Sequence, residues 1–439
     1  RPGLLAPAAA ETRKAPMAES SQAPALHIAV FADQHPGTLG GMQTSVLLQQ
    51  RFLERLGHRV TIVAPARRRL GHEEQPAMPS VIELPGVPLG PGEYSLSVPT
   101  RRLDARLDRA LDGWPPVDVV HIQADFWGAV IGYRFAQRHG TPVVHTMHNR
   151  LDVGLAATVP LPWLVQRGFG LAQHRLMRLQ GPVPKDAWTY LRGFTDAAAA
   201  VTAPSTHFAS LLEEHNVFDD IDVVPTGLDD DIARDLIASP PARGEHDDRI
   251  RLVWTGRFSP EKRLIPFLEA VLASKQGVDV HVFGDGAQRA KAESLVARHL
   301  PMSASRAGGP RFVFRGKVTY EQMLAELAAA DALVQTSIGF ETQGMTVFEA
   351  AALGTPTILS DHRIAADLPG GSYWLTPDDT VAGLAGAISG AVAQIGAGRR
   401  WRATGADQLM QSRQTSKMME VYRRVTRPEA ARGSTVAGP

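Results

Sequence analysis

No cysteine occurs in the 439-residue chain. Disulfides and cysteine-ligated metals are therefore excluded, and the composition suits a reducing compartment. An excess of one charge is lacking too: 46 Lys and Arg stand against 45 Asp and Glu, a net charge of +1. The molecule as a whole is no electrostatic partner for nucleic acid, so attraction to a phosphate or an anionic surface must come from local patches. No apolar run approaches the ~20 residues needed to span a bilayer. Residues 1–25, rich in Ala, Pro and Ser, lack the apolar centre of a secretion signal. They read as a disordered leader in which Met17 is a candidate natural start, and residues 428–439 read as a disordered tail. Metal-ligand spacing is missing: Asp229-Asp230-Asp231 follows a Thr-Gly turn and reads as a solvated helix start.

What is present is an ordinary α/β composition, 44% hydrophobic and 21% charged, in a chain too long for one core. Leu26–Phe31, a Gly-rich loop from Gly37 to Gly41, a helical pattern over Met42–Leu56 and the strand Arg59–Ala64 make one βαβ unit. Strands follow at Val119–Ile122, Val143–His145 and Ala199–Thr202. After Val223–Gly227 and a polar stretch over Ala242–Asp248, the rhythm restarts with Ile250–Trp254, Val278–Phe283, Arg311–Phe314, Ala332–Gln335 and Thr357–Leu359. Alternation of this kind predicts two doubly wound Rossmann-like domains, with the C-terminal ends of their strands facing a shared cleft. The divisions are 26–225, 226–405 and a returning C-terminal helix over 406–427.

The most informative stretch runs from Gly339 to Glu349, with Glu341 in a loop and Glu349 in the helix that follows. A free helix N-terminus attracts an anion, and a carboxylate beside it can hold sugar hydroxyls. Gly344 between them lets the backbone approach a ligand. Gly256-Arg257 and Lys262 lie at another strand-to-helix junction, where two cations can clamp a diphosphate and neutralise a leaving group. Gly284-Asp285-Gly286 is either a bare turn or a place where a base or ribose meets the backbone. Gly40-Gly41 opens the first helix and can present N–H groups to phosphate, but the Gly-x-Gly-x-x-Gly pattern is absent and a nicotinamide cofactor is not indicated. His148 follows a strand end and is a candidate for contact with a sugar hydroxyl, whereas His121 reads as core. Asp125 reads as a helix cap, with contact to an acceptor hydroxyl as the alternative.

Residues 159–194 differ in character. Trp163, Arg167, Arg175, Arg178 and Lys185 are interleaved with Phe169, Leu171, Leu176, Met177 and Trp188, and only Asp186 is acidic. The mixture fits either an anionic membrane surface or core-facing helices with a basic outer side. Arg67-Arg68-Arg69 is a second small basic cluster, placed on a surface loop.

Taken together and in this order, Gly40-Gly41, His148, Pro225-Thr226-Gly227-Leu228-Asp229, Gly256-Arg257 with Lys262, Gly284-Asp285-Gly286, and Glu341 with Glu349 resemble the retaining glycosyltransferases of family 4, over residues 26–425. The resemblance implies the GT-B fold and transfer of a hexose from a nucleotide-diphosphate sugar, with no cofactor and no metal. It implies that Glu341 and His148 lie at the donor sugar, that Arg257 and Lys262 bind the diphosphate, and that Glu349 holds the ribose. Backbone at Gly344, Met345 and Thr346 would contact sugar and phosphate. Thr226 stands where Asn is commoner, and Ala350-Ala351-Ala352 replaces a more varied run. The details Glu341-Thr342-Gln343-Gly344-Met345-Thr346, Val120-His121-Ile122-Gln123 and His145-Thr146-Met147-His148 are similar to bacterial diacylglycerol glucosyltransferases and actinobacterial lipid mannosyltransferases. That likeness implies a lipid or sugar acceptor, an anionic membrane surface, no nucleic acid, and a cytoplasmic enzyme peripheral to the inner face of the plasma membrane. The same chemistry on a soluble acceptor, a sugar-nucleotide epimerase and an inactive binding scaffold are the competing readings.

Overall fold

A computed structural model describes residues 24–427 except 39, 68–77, 89–92, 94, 159–160, 240, 242–248, 300–307, 400 and 402–404. The expected leader up to residue 23, the tail from 428, the polar stretch 242–248 and Arg68-Arg69 lie outside the described residues.

Fifteen strands are described: β1 (His27–Ala32), β2 (Arg59–Pro65), β3 (Val81–Leu84), β4 (Val87–Pro88), β5 (Ser95–Leu96), β6 (Val119–Gln123), β7 (Val143–Thr146), β8 (Ala200–Ala203), β9 (Asp222–Val223), β10 (Arg251–Thr255), β11 (Asp279–Phe283), β12 (Arg311–Gly316), β13 (Ala332–Gln335), β14 (Thr357–Leu359) and β15 (Tyr373–Leu375). They form a seven-stranded sheet in the order β3-β2-β1-β6-β7-β8-β9, a six-stranded sheet β12-β11-β10-β13-β14-β15, and a small antiparallel ribbon of β4 and β5. Both large sheets are parallel throughout, as expected of Val- and Ile-rich strands covered on both faces. In each, the strand order reverses beside the first strand, between β1 and β6 and between β10 and β13. A crevice opens beyond the strand C-termini at such a point, and it positions the site described below.

The strands not read from sequence, β3, β4, β5, β9 and β15, are short edge or ribbon segments of two to four residues. Among their residues only Leu84 and Ser95 are buried, too few to impose an apolar period.

Helix Gln411–Thr426 packs beside helix Gly41–Arg55, not against the sheet that precedes it in sequence. Its Met418, Met419, Val421, Tyr422 and Val425 join Ile28, Val30, Ile62 and Val144 in one buried cluster of the N-terminal half. The Tyr422 hydroxyl lies 2.7 Å from His121 Nδ1, and His121 Nε2 lies 2.7 Å from Thr146 Oγ1, so His121 is a satisfied core residue. The chain crosses between the halves twice at one place. Leu228 N–H donates to Leu409 and Gln411 N–H donates to Leu228. A Cβ on Gly227 would sit 2.5 Å from the Gln411 nitrogen, which explains the glycine of the Thr-Gly turn.

The Asp229–Asp231 run is a helix start, as read, but it is not simply solvated. Asp229 is buried, accepts the N–H groups of Asp231 and Ile232, and pairs with Arg51 of the first helix. Asp231 pairs with Arg51 at 2.5 Å and with Arg55, whose side-chain hydrogen bond holds its carboxyl at about 2. The triplet therefore ties the two halves together.

Candidate active site

Between the halves lies a cavity of about 330 Å³. Its walls come from the loops after β7, β10 and β13 and from the first turns of helices Gly41–Arg55 and Met345–Ala352. These two helix N-termini face each other: a Cβ on Gly41 would lie 3.3 Å from Met345 Sδ. Each offers unpaired N–H groups and a positive dipole end to the same space. Gly344, at φ +80°, adopts the left-handed conformation that admits glycine readily and lets the second helix start abruptly.

Lys262 and Glu341 meet at this cavity, Nζ to Oε1 at 2.6 Å. Lys262 is fixed from behind. Its carbonyl accepts from Thr336 Oγ1 at 2.7 Å, and the Thr336 oxygen accepts from buried Trp254 Nε1 at 2.9 Å. Burial alone would raise the Glu341 carboxyl, but the charge and hydrogen bond of Lys262, with a hydrogen bond from Ser337, hold it below its usual value. Glu341 is thus an ionised acceptor for hydroxyl groups with a cation at its side.

His148 lines the same cavity. Its Nε2 lies 3.0 Å from Gln123 Oε1, and Gln123 in turn donates to Gln49. Burial lowers its pKa to about 4, so the ring is neutral near pH 7. With Nε2 donating to Gln123, Nδ1 is the ring nitrogen left to accept.

The loop that carries Glu341 belongs to the C-terminal half but is gripped by the N-terminal half. Arg150 Nη1 donates to Gly339 O at 2.9 Å, Thr342 Oγ1 to His148 O at 3.0 Å, and His207 Nε2 to Glu341 O at 3.1 Å. Ser205 Oγ donates to Thr342 O. Gln343 exchanges two hydrogen bonds with the backbone of Thr226, at 2.8 and 3.0 Å. The two halves are therefore held in register beside the cavity.

Gly40, Gly41, Gly256, Gly344, Met345 and Thr346 are at or beside the cavity, but Arg257 is not among the residues that line it. The Arg257 side chain is 66% exposed and pairs with Glu261 at 3.3 Å, whereas Lys262 pairs with Glu341. Gly284-Asp285-Gly286 does not line the cavity either. The two glycines admit the loop after β10: a Cβ on Gly284 would collide with Gly256 O, and one on Gly286 would lie 2.8 Å from Phe258 O. Asp285 is half-buried and faces Arg289. Glu349 is buried beside the Tyr320 hydroxyl, away from the cavity wall, and burial lifts its carboxyl to about 7.

Asp125 is not the helix cap it was read to be. Helix Trp127–His139 begins after Phe126 with no side-chain cap of its own. The acceptor is Asp33, which takes the N–H groups of Asp125, Phe126 and Gly128 at 2.7, 3.0 and 2.8 Å. Sequence reasoning missed Asp33 because the capping oxygen comes from 92 residues upstream, beyond any local signature.

Residues 161–194 divide between both readings. Phe169, Leu176, Met177 and Trp188 pack on the core of the N-terminal half. Helix Pro162–Met177 turns the other face outward: Trp163 is 61% and Leu164 52% exposed, with Leu171, Arg167 and Arg175 exposed along the same side. Leu161, Arg178 and Lys185 are exposed beside it. Arg67 instead pairs with Glu93 at 2.7 Å.

Among the described residues no helix is long and apolar enough to cross a membrane, and no three His, Asp or Glu side chains gather as a metal-binding set. The profile of Glycosyltransferase Family 4 matches residues 39–232, and that of Glycosyl transferases group 1 matches residues 249–394. A GDP-mannose-dependent alpha-mannosyltransferase of Mycolicibacterium smegmatis is 28% identical over 78% of this chain and 82% of its own. An alpha-monoglucosyldiacylglycerol synthase of Streptococcus pneumoniae is 25% identical over 76% of this chain and 70% of its own. Among solved structures, a sucrose-phosphate synthase of Thermosynechococcus elongatus superposes with a TM-score of 0.64 at 19% identity, covering 91% of this chain and 98% of that one.

Proposed function

The chain belongs to the GT-B glycosyltransferases of family 4, enzymes that move a sugar from a nucleotide sugar, and from that premise we propose a retaining hexose transfer to a lipid hydroxyl at an anionic membrane surface. The observation that carries the reading is the Lys262–Glu341 pair at the cavity between the halves, set against two facing helix N-termini. A nucleotide diphosphate laid across those helix ends would meet Lys262 at its sugar-proximal phosphate. Glu341 would grip hydroxyls of the hexose and His148 Nδ1 would accept from one more. As the bond from the anomeric carbon to the diphosphate oxygen breaks, negative charge gathers on the leaving phosphate, and Lys262 with the helix dipoles stabilises it. The acceptor oxygen attacks from the same face, and its proton passes to that phosphate oxygen. Charge stabilisation of this kind needs no metal. The interdomain grip on the Glu341 loop would exclude water while the reaction runs.

Support for a lipid acceptor comes from the outward face of helix Pro162–Met177, where Trp163, Leu164 and Leu171 accompany Arg167 and Arg175. Exposed apolar and cationic side chains together suit the interface of an anionic leaflet. The printed names of two relatives, one GDP-mannose-dependent and one a glucosyldiacylglycerol synthase, favour GDP-mannose or UDP-glucose as donor and a diacylglycerol or its glycoside as acceptor.

A donor-by-acceptor matrix tests this: UDP-glucose, UDP-galactose and GDP-mannose against diacylglycerol, a glycosylated diacylglycerol and soluble sugars. Transfer to the lipids is expected. Transfer to soluble sugars alone removes the lipid reading, and donor isomerisation without an acceptor points to an epimerase. Lys262→Ala and Glu341→Ala should each lower turnover by about 10²–10³-fold with the fold intact. Near-normal turnover in either refutes the site.

A further inference from the structure

We infer that Asp125 is a positioning residue of the transfer reaction, holding the His148–Asn149 turn from beneath so that the imidazole faces the sugar. The inference rests on the placement of His148 at the donor proposed above. Asp125 is fully buried at the C-terminal end of β6, one strand over from the turn that follows β7. Its Oδ2 accepts from Asn149 Nδ2, and the backbone N–H groups of His148 and Asn149 also point at its carboxyl. The peptide that bears the histidine is therefore fixed by one buried acid, and the ring is fixed separately by Gln123.

Asp125 is itself held in place. Its own N–H donates to Asp33, which also anchors the start of helix Trp127–His139. The two carboxylates thus form a stack: Asp33 sets the loop after β6, that loop sets Asp125, and Asp125 sets the loop after β7. Asp125 Oδ1 is buried without a hydrogen-bond partner, 3.9 Å from His145 Nε2. His145 cannot serve it, since Nε2 lies 2.8 Å from Ala124 O and Nδ1 lies 3.1 Å from the Tyr133 hydroxyl. The other oxygen of Asp125 is committed to the turn next to the cavity.

The groups that face Asp125 are Asp33 from the loop after β1, His145 from β7, His148 and Asn149 from the turn, and Tyr190 from helix Ala187–Thr195. Burial, and then the charge of Asp33, raise the Asp125 carboxyl to about 7, and burial raises Asp33 to about 6. Ionised Asp125 is the stronger acceptor for the Asn149 amide and for the two backbone N–H groups. As pH falls through 7 it takes up a proton and its hold on the turn weakens. His148 and His145, lowered by burial to about 4 and about 3, stay neutral across that range.

The experiment is the pH profile of kcat and of donor KM for the wild type, Asp125→Asn, Asp33→Asn and His148→Ala, on full-length protein with the best donor and acceptor of the matrix. The wild type should show an acid limb in kcat near pH 7. Asp125→Asn should lower kcat about 10–100-fold at pH 8, move donor KM less than threefold, and abolish the limb. Asp33→Asn removes a neighbouring negative charge, so its limb should move to lower pH, and this reads the same coupling if Asp125→Asn does not fold. A drop in melting temperature with kcat and the limb unchanged in Asp125→Asn overturns the inference, as does a limb unmoved in Asp33→Asn. Full activity of His148→Ala sinks the placement of His148 and this inference with it. Loss in His148→Ala alongside an unaffected Asp125→Asn refutes the positioning role alone.

Discussion

Glu349→Gln should make the protein more stable at pH 8 and nearly unchanged at pH 4.5. The carboxyl is 5% exposed, inside helix Met345–Ala352, and burial raises it from 4.5 to about 7, with the Tyr320 hydroxyl opposing. A carboxyl raised in the folded state binds its proton more tightly there than in the unfolded chain. Its contribution to stability is complete below the unfolded value, declines as pH rises above 4.5, and is gone once pH passes 7. The gap between the two values corresponds to about 3 kcal/mol, taken at 1.36 kcal/mol per pH unit. Gln has nearly the same shape and no charge to desolvate, so it escapes that cost. At roughly 2–4 °C per kcal/mol for a domain of 150–250 residues, the variant should melt roughly 6–12 °C higher at pH 8. Thermal unfolding of both proteins across pH 4.5–8.5 measures this, with nucleotide binding by calorimetry as a companion. A variant that binds donor nucleotide less tightly while being more stable would show the acid kept for function at a cost in stability. Equal stability offsets at both pH values would refute the argument, because the effect then owes nothing to the proton.

Chelation tests the charge argument further: the wild type should keep its activity in EDTA, and a loss restored by a divalent cation would show that Lys262 and the helix ends do not suffice. Trp163→Ala combined with Arg167→Ala and Arg175→Ala should reduce sedimentation with anionic vesicles, and wild-type binding should weaken with salt, since the cations are exposed; binding indifferent to both would remove the membrane face. Arg51→Ala leaves buried Asp229 without its cation and should cost roughly 1–3 kcal/mol in urea unfolding; an unchanged midpoint would mean that the bridge between the halves contributes nothing.

The parallel strands were legible because each is a run of buried Val, Ile and Ala: Arg59–Pro65, Ala332–Gln335 and Thr357–Leu359 differ from the sequence reading by one residue or none. The same residues placed the crevice, since alternation with helices leaves few other topologies. Glu341 and Lys262 could be brought to one place because each follows a strand of the same sheet, and strand ends converge. Side-chain direction was not legible. Arg257 is five residues from Lys262 yet turns to solvent, because the loop after β10 is pinned by Phe258 N–H on Asp285 O and faces its arginine outward. Asp125 looked like a cap because it precedes a helix, whereas the cap arrives from Asp33 through the tertiary fold. The latch on the Glu341 loop was invisible for the same reason: Ser205, His207 and Arg150 are unremarkable until two halves are docked.

Helix Gln411–Thr426 has a consequence for biosynthesis. The N-terminal half needs Met418, Met419 and Tyr422 to close its hydrophobic face, and the Nδ1 of His121 finds its partner there. A ribosome that has delivered every strand of the first sheet has still not delivered the cover for it. That sheet must wait, with an oily side uncovered, while the whole second half is translated and folds. The portion made first is thus the portion finished last, and nascent chains stalled before residue 411 should be the ones that chaperones hold.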